Sequence, residues 1–392
     1  MGKHIAFFNI PALGHVFPTL AVVAELTRRG HRVSYSTIEG RRALVEPTGA
    51  ALRPYRSLRP ADTDPSLRVP ARAGYISSTL LSFLDEAEAA FTQLEPVYRD
   101  DPPDLIVFDR MAFAGRVLGA RLDVPTVQLW PMLVSNEHWS MGQALNAFDP
   151  ADPVLHAYAV RLAEFLGEHC PALDPELFLS PQPDAQLAFY PRSFQYAGDL
   201  FGPGYSFVGP CLQPPPGRWH PPDDNDVLLV TLGTVYNARP DFYRACAEAF
   251  AGTRWRVVLA VGERIELSSL GRLPANVEVH RFVSQLDVLA HATAMVCHAG
   301  MGGIMEAMSF GLPVLAVPQT LEQEANALRV EQLGLGARLT SSDQLDPGTL
   351  KTAVEVMVKD PAIADGVAAM RSAVTATGGA PTAADTIERC LP

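Results

Sequence analysis

The chain lacks any Cys-x-x-Cys pair: its five cysteines (Cys170, Cys211, Cys246, Cys297 and Cys390) are scattered and odd in number. That pattern excludes a disulfide framework and a zinc-binding module as the basis of the fold. There is no run of lysine or arginine, and the formal net charge is -12. A polyanion such as nucleic acid, or an anionic membrane surface, is therefore not an expected partner. No membrane-length apolar run occurs either, because the longest candidate, Ala294 to Pro318, is interrupted by His298 and Glu306 and by several glycines and prolines. The opening apolar stretch, Ile5 to Ile10, is too short for a signal peptide and runs straight into a turn. A reducing, cytoplasmic setting is the expectation.

What is present is a globular composition, 48% apolar and 19% charged, in a chain of 392 residues. That length exceeds what one hydrophobic core usually organises, so two domains are expected. Apolar runs of strand length alternate with helical patterns. His4 to Ile10 precedes a loop from Pro11 to His15 and a helix from Pro18 to Arg29, and a strand follows over Arg32 to Thr37. The alternation recurs at Leu105 to Phe108, Met111 to Leu122 and Pro125 to Trp130, which predicts an α/β fold with parallel sheets covered by helices. Gly209 to Asp226 holds six prolines without apolar periodicity and reads as a semi-rigid linker. The expected organisation is a first domain over 1–208, a linker over 209–226, a second α/β domain over 227–375, and a tail helix over 376–392 that packs back on the first domain.

The sharpest chemical pattern is His298-Ala-Gly-Met-Gly-Gly-Ile-Met-Glu306, after one apolar run and at the start of a helix. Gly300, Gly302 and Gly303 permit close backbone approach, and the free amides of a helix start attract an anion such as a diphosphate. Glu306, one or two turns in, can accept both hydroxyls of a ribose. The spacing G-x-G-G late in the chain is neither the dinucleotide fingerprint nor the Walker pattern. Taken without the rest, it is also compatible with an ordinary glycine-rich turn carrying a surface glutamate. A second polar pair stands at the ends of first-domain strands. His15 lies beyond the first strand, where α/β ligands bind and where a neutral imidazole can take a proton near pH 7. Asp109 ends another strand and can equally cap the next helix.

The segment Phe282 to Ala327 resembles the signature region of the plant-like and bacterial glycosyltransferases that act on macrolides or flavonoids. The likeness extends from IAFFNIPALGHVFPTL to GGAPTAADTIE and is closest to the bacterial broad-acceptor macrolide group. The resemblance implies two facing Rossmann-like domains (GT-B type) with a deep interdomain cleft, and inverting transfer of a sugar from a nucleotide diphosphate, UDP-glucose by preference, to a hydroxyl of an apolar small molecule. By matched position it implies that His15, in Gly14-His15-Val16-Phe17-Pro18, is the general base and that Asp109 orients it. It further implies that Phe282, Val283 and Gln285 line the nucleoside pocket, that Thr234 and His298 contact the diphosphate beside Gly300, Gly302 and Gly303, that Glu306 holds the ribose, and that Glu322 and Gln323 grip the donor sugar. Phe282 and Ser284 stand where many relatives carry Trp and Pro, and Met301-Gly302-Gly303 where plant relatives carry W-N-S. No cofactor and no metal are implied, the UDP-sugar being a co-substrate, and the state expected is a monomer or weak homodimer. Two D-x-D sequences, Asp62-Thr-Asp64 and Asp224-Asn-Asp226, spell a metal-binding motif of other transferases but read as loop charges. Tyr75, Phe83, Met111, Phe113, Trp130, Met132 and Trp139 could line an acceptor pocket or equally belong to the core. A sugar-nucleotide epimerase or hydrolase and a non-catalytic sugar-nucleotide binder are the alternatives.

Overall fold

The computed structural model describes residues 2–61, 64, 68–69, 71–180, 184–214, 217–339 and 345–392. The chain forms two compact units: Met1–Pro60, Ala71–Leu212 and Thr377–Pro392 make the first, and Ala61–Pro70 with Gln213–Ala376 the second. Each is built on one parallel sheet, so both halves are α/β domains.

In the first unit the strands are β1 His4–Phe8, β2 Arg32–Thr37, β3 Ala51–Pro54, β4 Leu105–Asp109, β5 Thr126–Trp130, β6 Ala185–Ala188 and β7 Tyr205–Phe207. They lie in the order β3-β2-β1-β4-β5-β6-β7, all neighbours parallel. Every residue of β1 and β4 is buried, as a sheet covered on both faces requires. Ile5 and Phe7 enter one core with Val16, Leu20 and Val23 of helix Leu13–Arg28. Ala6 and Phe8 enter the other, with Phe91 of helix Tyr75–Asp100, Val117 of helix Phe113–Leu122 and Phe165 of helix Pro153–His169. Helix Gly379–Glu388 completes the first of these cores through Ala383, Ala384 and Ile387. Arg29 clamps it with hydrogen bonds of 2.6 Å each to Asp385 and Glu388.

The second unit holds β8 Asp226–Thr231, β9 Trp255–Ala260, β10 Val277–His280, β11 Ala292–Cys297, β12 Val314–Ala316 and β13 Gly336–Arg338. Their order is β10-β9-β8-β11-β12-β13, again all parallel. The proline-rich segment packs here from Gln213 onward: the amides of Gly217 and Arg218 donate to Asp287 at 2.8 and 2.6 Å, and the indole of Trp219 to Glu278 at 2.8 Å.

One expected boundary is wrong in a way that matters. The first helix starts at Leu13, not at Pro18, so His15 belongs to its first turn and not to a loop. The carbonyl of Ala12 already accepts from the amides of His15 and Val16 at 3.0 and 3.1 Å. Leu13, Val16, Leu20 and Val23 bury one face at helical spacing. Pro18 costs this helix one backbone bond, and burial of that face outweighs the loss.

Candidate functional site

In the first sheet the strand order reverses direction between β1 and β4, and ligands of open α/β sheets bind beyond the carboxyl ends of the strands at such a point. His15 and Asp109 meet there. The Nδ1 of His15 lies 2.7 Å from Oδ2 of Asp109, whose side chain is 1% exposed against 16% for the imidazole. The second oxygen of Asp109 accepts from the Met111 amide at 2.7 Å. The capping alternative therefore holds only in modified form: helix Phe113–Leu122 has Ala112 at its N-cap, and Asp109 secures the turn before it while keeping one oxygen for His15. A neutral imidazole that donates its Nδ1–H to a carboxylate carries its lone pair on Nε2. Asn9, buried at the end of β1, fixes the helix start by donating to the His15 carbonyl at 2.9 Å and to the Tyr35 hydroxyl at 2.7 Å. Sequence reading passed over Asn9, although a lone polar residue closing a buried strand was a visible signal.

The second sheet reverses between β8 and β11, and the residues expected to hold a donor gather around their carboxyl ends. The ring of His298, just after β11, packs closely against two glycines. A Cβ on Gly233, in the turn after β8, would come within 2.6 Å of that ring, and one on Gly300 would come within 2.6 Å of its Nε2. Gly233 also has φ +74°, so both space and backbone geometry demand glycine there. Burial lowers the pKa of His298 to about 4, so the ring is neutral at pH 7 and offers an uncharged N–H. Its Nδ1 is buried with no hydrogen-bond partner among the described residues. Thr234 follows in the same turn, half-buried. Gly300 is the N-cap of helix Met301–Phe310, and Gly302 and Gly303 fall in its first turn. A Cβ on Gly302 would meet nothing within 4 Å.

Glu306 sits on the second turn of this helix, and its carboxylate accepts from Nε2 of Gln285, the first residue of helix Gln285–Leu289. Burial raises the Glu306 pKa to about 7, and the Gln285 amide opposes that rise. Val283 is half-buried, whereas Phe282 is 64% exposed: an aromatic ring left in water beyond β10 is a surface on which a flat group can stack. Glu322 and Gln323 open helix Leu321–Gln332 after β12. Gln323 forms a capping box with Thr320, its Oε1 accepting from the Gln319 amide at 2.8 Å. That oxygen serves the helix start, and the amide nitrogen is the side chain's donor group.

Of the aromatic candidates, Phe83, Phe113 and Trp130 are core, 6%, 2% and 1% exposed. Tyr75, Met111, Met132 and Trp139 are half-buried, and Trp139 stacks on Tyr196 with ring centroids 4.8 Å apart. Asp62 lies outside the described residues. Asp226 opens β8 and pairs with Arg254 at 3.0 Å, so it stands at the opposite end of the strand from Thr234. Two buried asparagines escaped sequence reading. Asn237 donates to the Gly233 carbonyl at 2.8 Å and Asn326 to the Ala299 carbonyl at 3.0 Å.

Comparison with known proteins identifies the family of the chain. A family model described as the C-terminal domain of erythromycin biosynthesis protein CIII-like proteins matches residues 250–391. The chain is 37% identical over 394 residues to the NDP-glycosyltransferase YjiC of Bacillus licheniformis, covering 99% of this chain and 98% of the relative. It is 35% identical over 404 residues to the oleandomycin glycosyltransferase of Streptomyces antibioticus, covering 99% and 91%. Among solved structures, the calicheamicin glycosyltransferase CalG4 superposes with a TM-score of 0.88 at 36% identity, covering 100% of this chain and 98% of that one. With likeness of this extent along its whole length, the chain belongs to the NDP-glycosyltransferase family and is a glycosyltransferase of the two-sheet GT-B class.

Proposed function

We propose that this glycosyltransferase moves glucose from UDP-glucose to a hydroxyl of an apolar small molecule, a macrolide or a flavonoid-like phenol, with inversion at the anomeric carbon and without a metal ion. The observation that carries the reading is the 2.7 Å pairing of His15 with a buried Asp109 at the reversal point of the first sheet. In the reaction, Nε2 of His15 takes the acceptor proton as the oxygen attacks the anomeric carbon from the face opposite the diphosphate. Asp109 holds the ring in the required tautomer and stabilises the imidazolium that forms. The leaving diphosphate is met by the start of helix Met301–Phe310, the neutral His298 ring and the Thr234 hydroxyl, a set of fixed dipoles. Glu306 accepts the ribose hydroxyls, Phe282 and Val283 flank the base with Gln285, and Glu322 and Gln323 bind the sugar. The acceptor class rests on the relative named an oleandomycin glycosyltransferase and on the half-buried aromatic and methionine residues of the first unit.

The test is mass spectrometry of the protein with UDP-glucose and a mixed panel of macrolides and phenols, followed by anomeric assignment of any product. Hexose addition as the β-glycoside in the presence of EDTA is expected. Retention of the α configuration, or strict dependence on Mg²⁺ or Mn²⁺, overturns the mechanism, and UDP-glucose consumption independent of acceptor overturns transfer itself.

A further inference from the structure

Ala299 stands between His298 and the helix start of Gly300 with φ +61°. An alanine in the left-handed region carries a steric cost that glycine does not, and at a functional site such a residue persists only if its surroundings enforce it. The enforcing group is Asn326. It is 0% exposed, lies on helix Leu321–Gln332, and donates its amide Nδ2 to the Ala299 carbonyl across 27 residues of sequence at 3.0 Å. The same device recurs at the other glycine packed against the His298 ring, where Asn237, 1% exposed, donates to the carbonyl of Gly233 at φ +74°. Each asparagine leaves its Oδ1 buried without a hydrogen-bond partner among the described residues. A buried acceptor left unmet is costly, so an alternative residue without that oxygen would fold more comfortably unless the donor N–H is required.

We propose that Asn326 is a positioning residue for donor binding: by holding Ala299 in the left-handed conformation, its amide sets the direction of the His298 ring and of the first amides of helix Met301–Phe310 toward the diphosphate. Helix Leu321–Gln332 also carries Glu322 and Gln323, so sugar grip and diphosphate cradle are fixed by one rigid element. The inference rests on the reading of the His298 loop as the diphosphate site.

The experiment is UDP titration calorimetry on the full chain, well below the melting temperature, for wild type, Asn326→Ala, Ala299→Gly, the double variant and His298→Ala. The inference expects Asn326→Ala to weaken UDP by about 5- to 30-fold, the equilibrium weight of one unsupported left-handed alanine. Ala299→Gly should bind like wild type, and adding it to Asn326→Ala should recover most of the loss, since glycine adopts that φ unaided. Asn326→Ala with unchanged UDP affinity overturns the inference, as does a loss that Ala299→Gly fails to repair. If Asn326→Ala does not fold, the double variant decides: a folded UDP binder supports the inference, and a chain that stays unfolded overturns it. If His298→Ala leaves UDP affinity unchanged, the underlying diphosphate reading falls first and takes the inference with it.

Discussion

The amide of Gln285 points its Nε2 at the carboxylate of Glu306, so the donor group that would steady an ionised Glu306 comes from the helix that follows the exposed Phe282. The carboxyl is nevertheless held up to about 7 by burial. In the proposed contact the ribose hydroxyls donate to the ionised form, so UDP affinity should be full above pH 7 and fall as acid protonates the carboxyl. Calorimetry from pH 5.5 to 8.5 checks this. Glu306→Gln should flatten the dependence, and Glu306→Ala should cost about 1–3 kcal/mol of UDP binding at pH 8. An affinity independent of pH in wild type would remove Glu306 from the ribose contact.

For the first unit, His15→Ala should lower turnover about 10²- to 10⁴-fold while leaving UDP affinity intact. Asp109→Asn should cost nearly as much, for a different reason. If its oxygen keeps the Met111 amide bond, its NH₂ faces Nδ1 of His15, which must then accept, so the proton moves to Nε2 where the base is needed. Steady-state kinetics with saturating donor separates these outcomes from a loss of donor binding.

The glycines of the second unit divide by what a methyl group would meet. Gly302→Ala has open space in the free protein and should leave the melting temperature unchanged or slightly raised. It should still weaken UDP by about tenfold, because the methyl takes room beside the amides proposed to meet the phosphate oxygens. Gly233→Ala should lower both stability and UDP affinity, since its Cβ falls 2.6 Å from the His298 ring at a positive φ. Thermal melts paired with calorimetry distinguish the two.

The diphosphate is read as held by uncharged donors, so removing divalent ions should not slow transfer. Rates measured in EDTA and then with added Mg²⁺ or Mn²⁺ should coincide. A rate that appears only with metal would return attention to the acidic residues.

The glycine-rich segment from His298 to Glu306 was legible because strand, turn and helix start each leave a local signature, and the structure places that helix at Met301–Phe310. Strands β3, β6, β7 and β13 were not, since three or four residues are too few to show a period. Pro18 reads locally as a helix start, which puts His15 in a loop, and burial of Leu13 and Val16 overrides that rule. Asn326 and Asn237 stayed hidden for another reason. Their function is a bond to a backbone oxygen that only tertiary folding brings near, and an asparagine inside a helical pattern announces nothing by itself. The Asp109–His15 pairing could be suspected from two strand ends, but 94 residues separate the partners, and the strand order that joins them cannot be read from either segment.

The first unit is assembled from stretches at both extremities of the chain, the last of them sealing Ala383, Ala384 and Ile387 over a core begun at Ile5. Any chimaera that exchanges the first unit between relatives therefore has a second junction to respect. A graft that stops at Leu212 would cover the first core with the other parent's tail and separate Arg29 from Asp385 and Glu388, whereas one that also transplants Thr377–Pro392 keeps each hydrophobic interior of a single parentage.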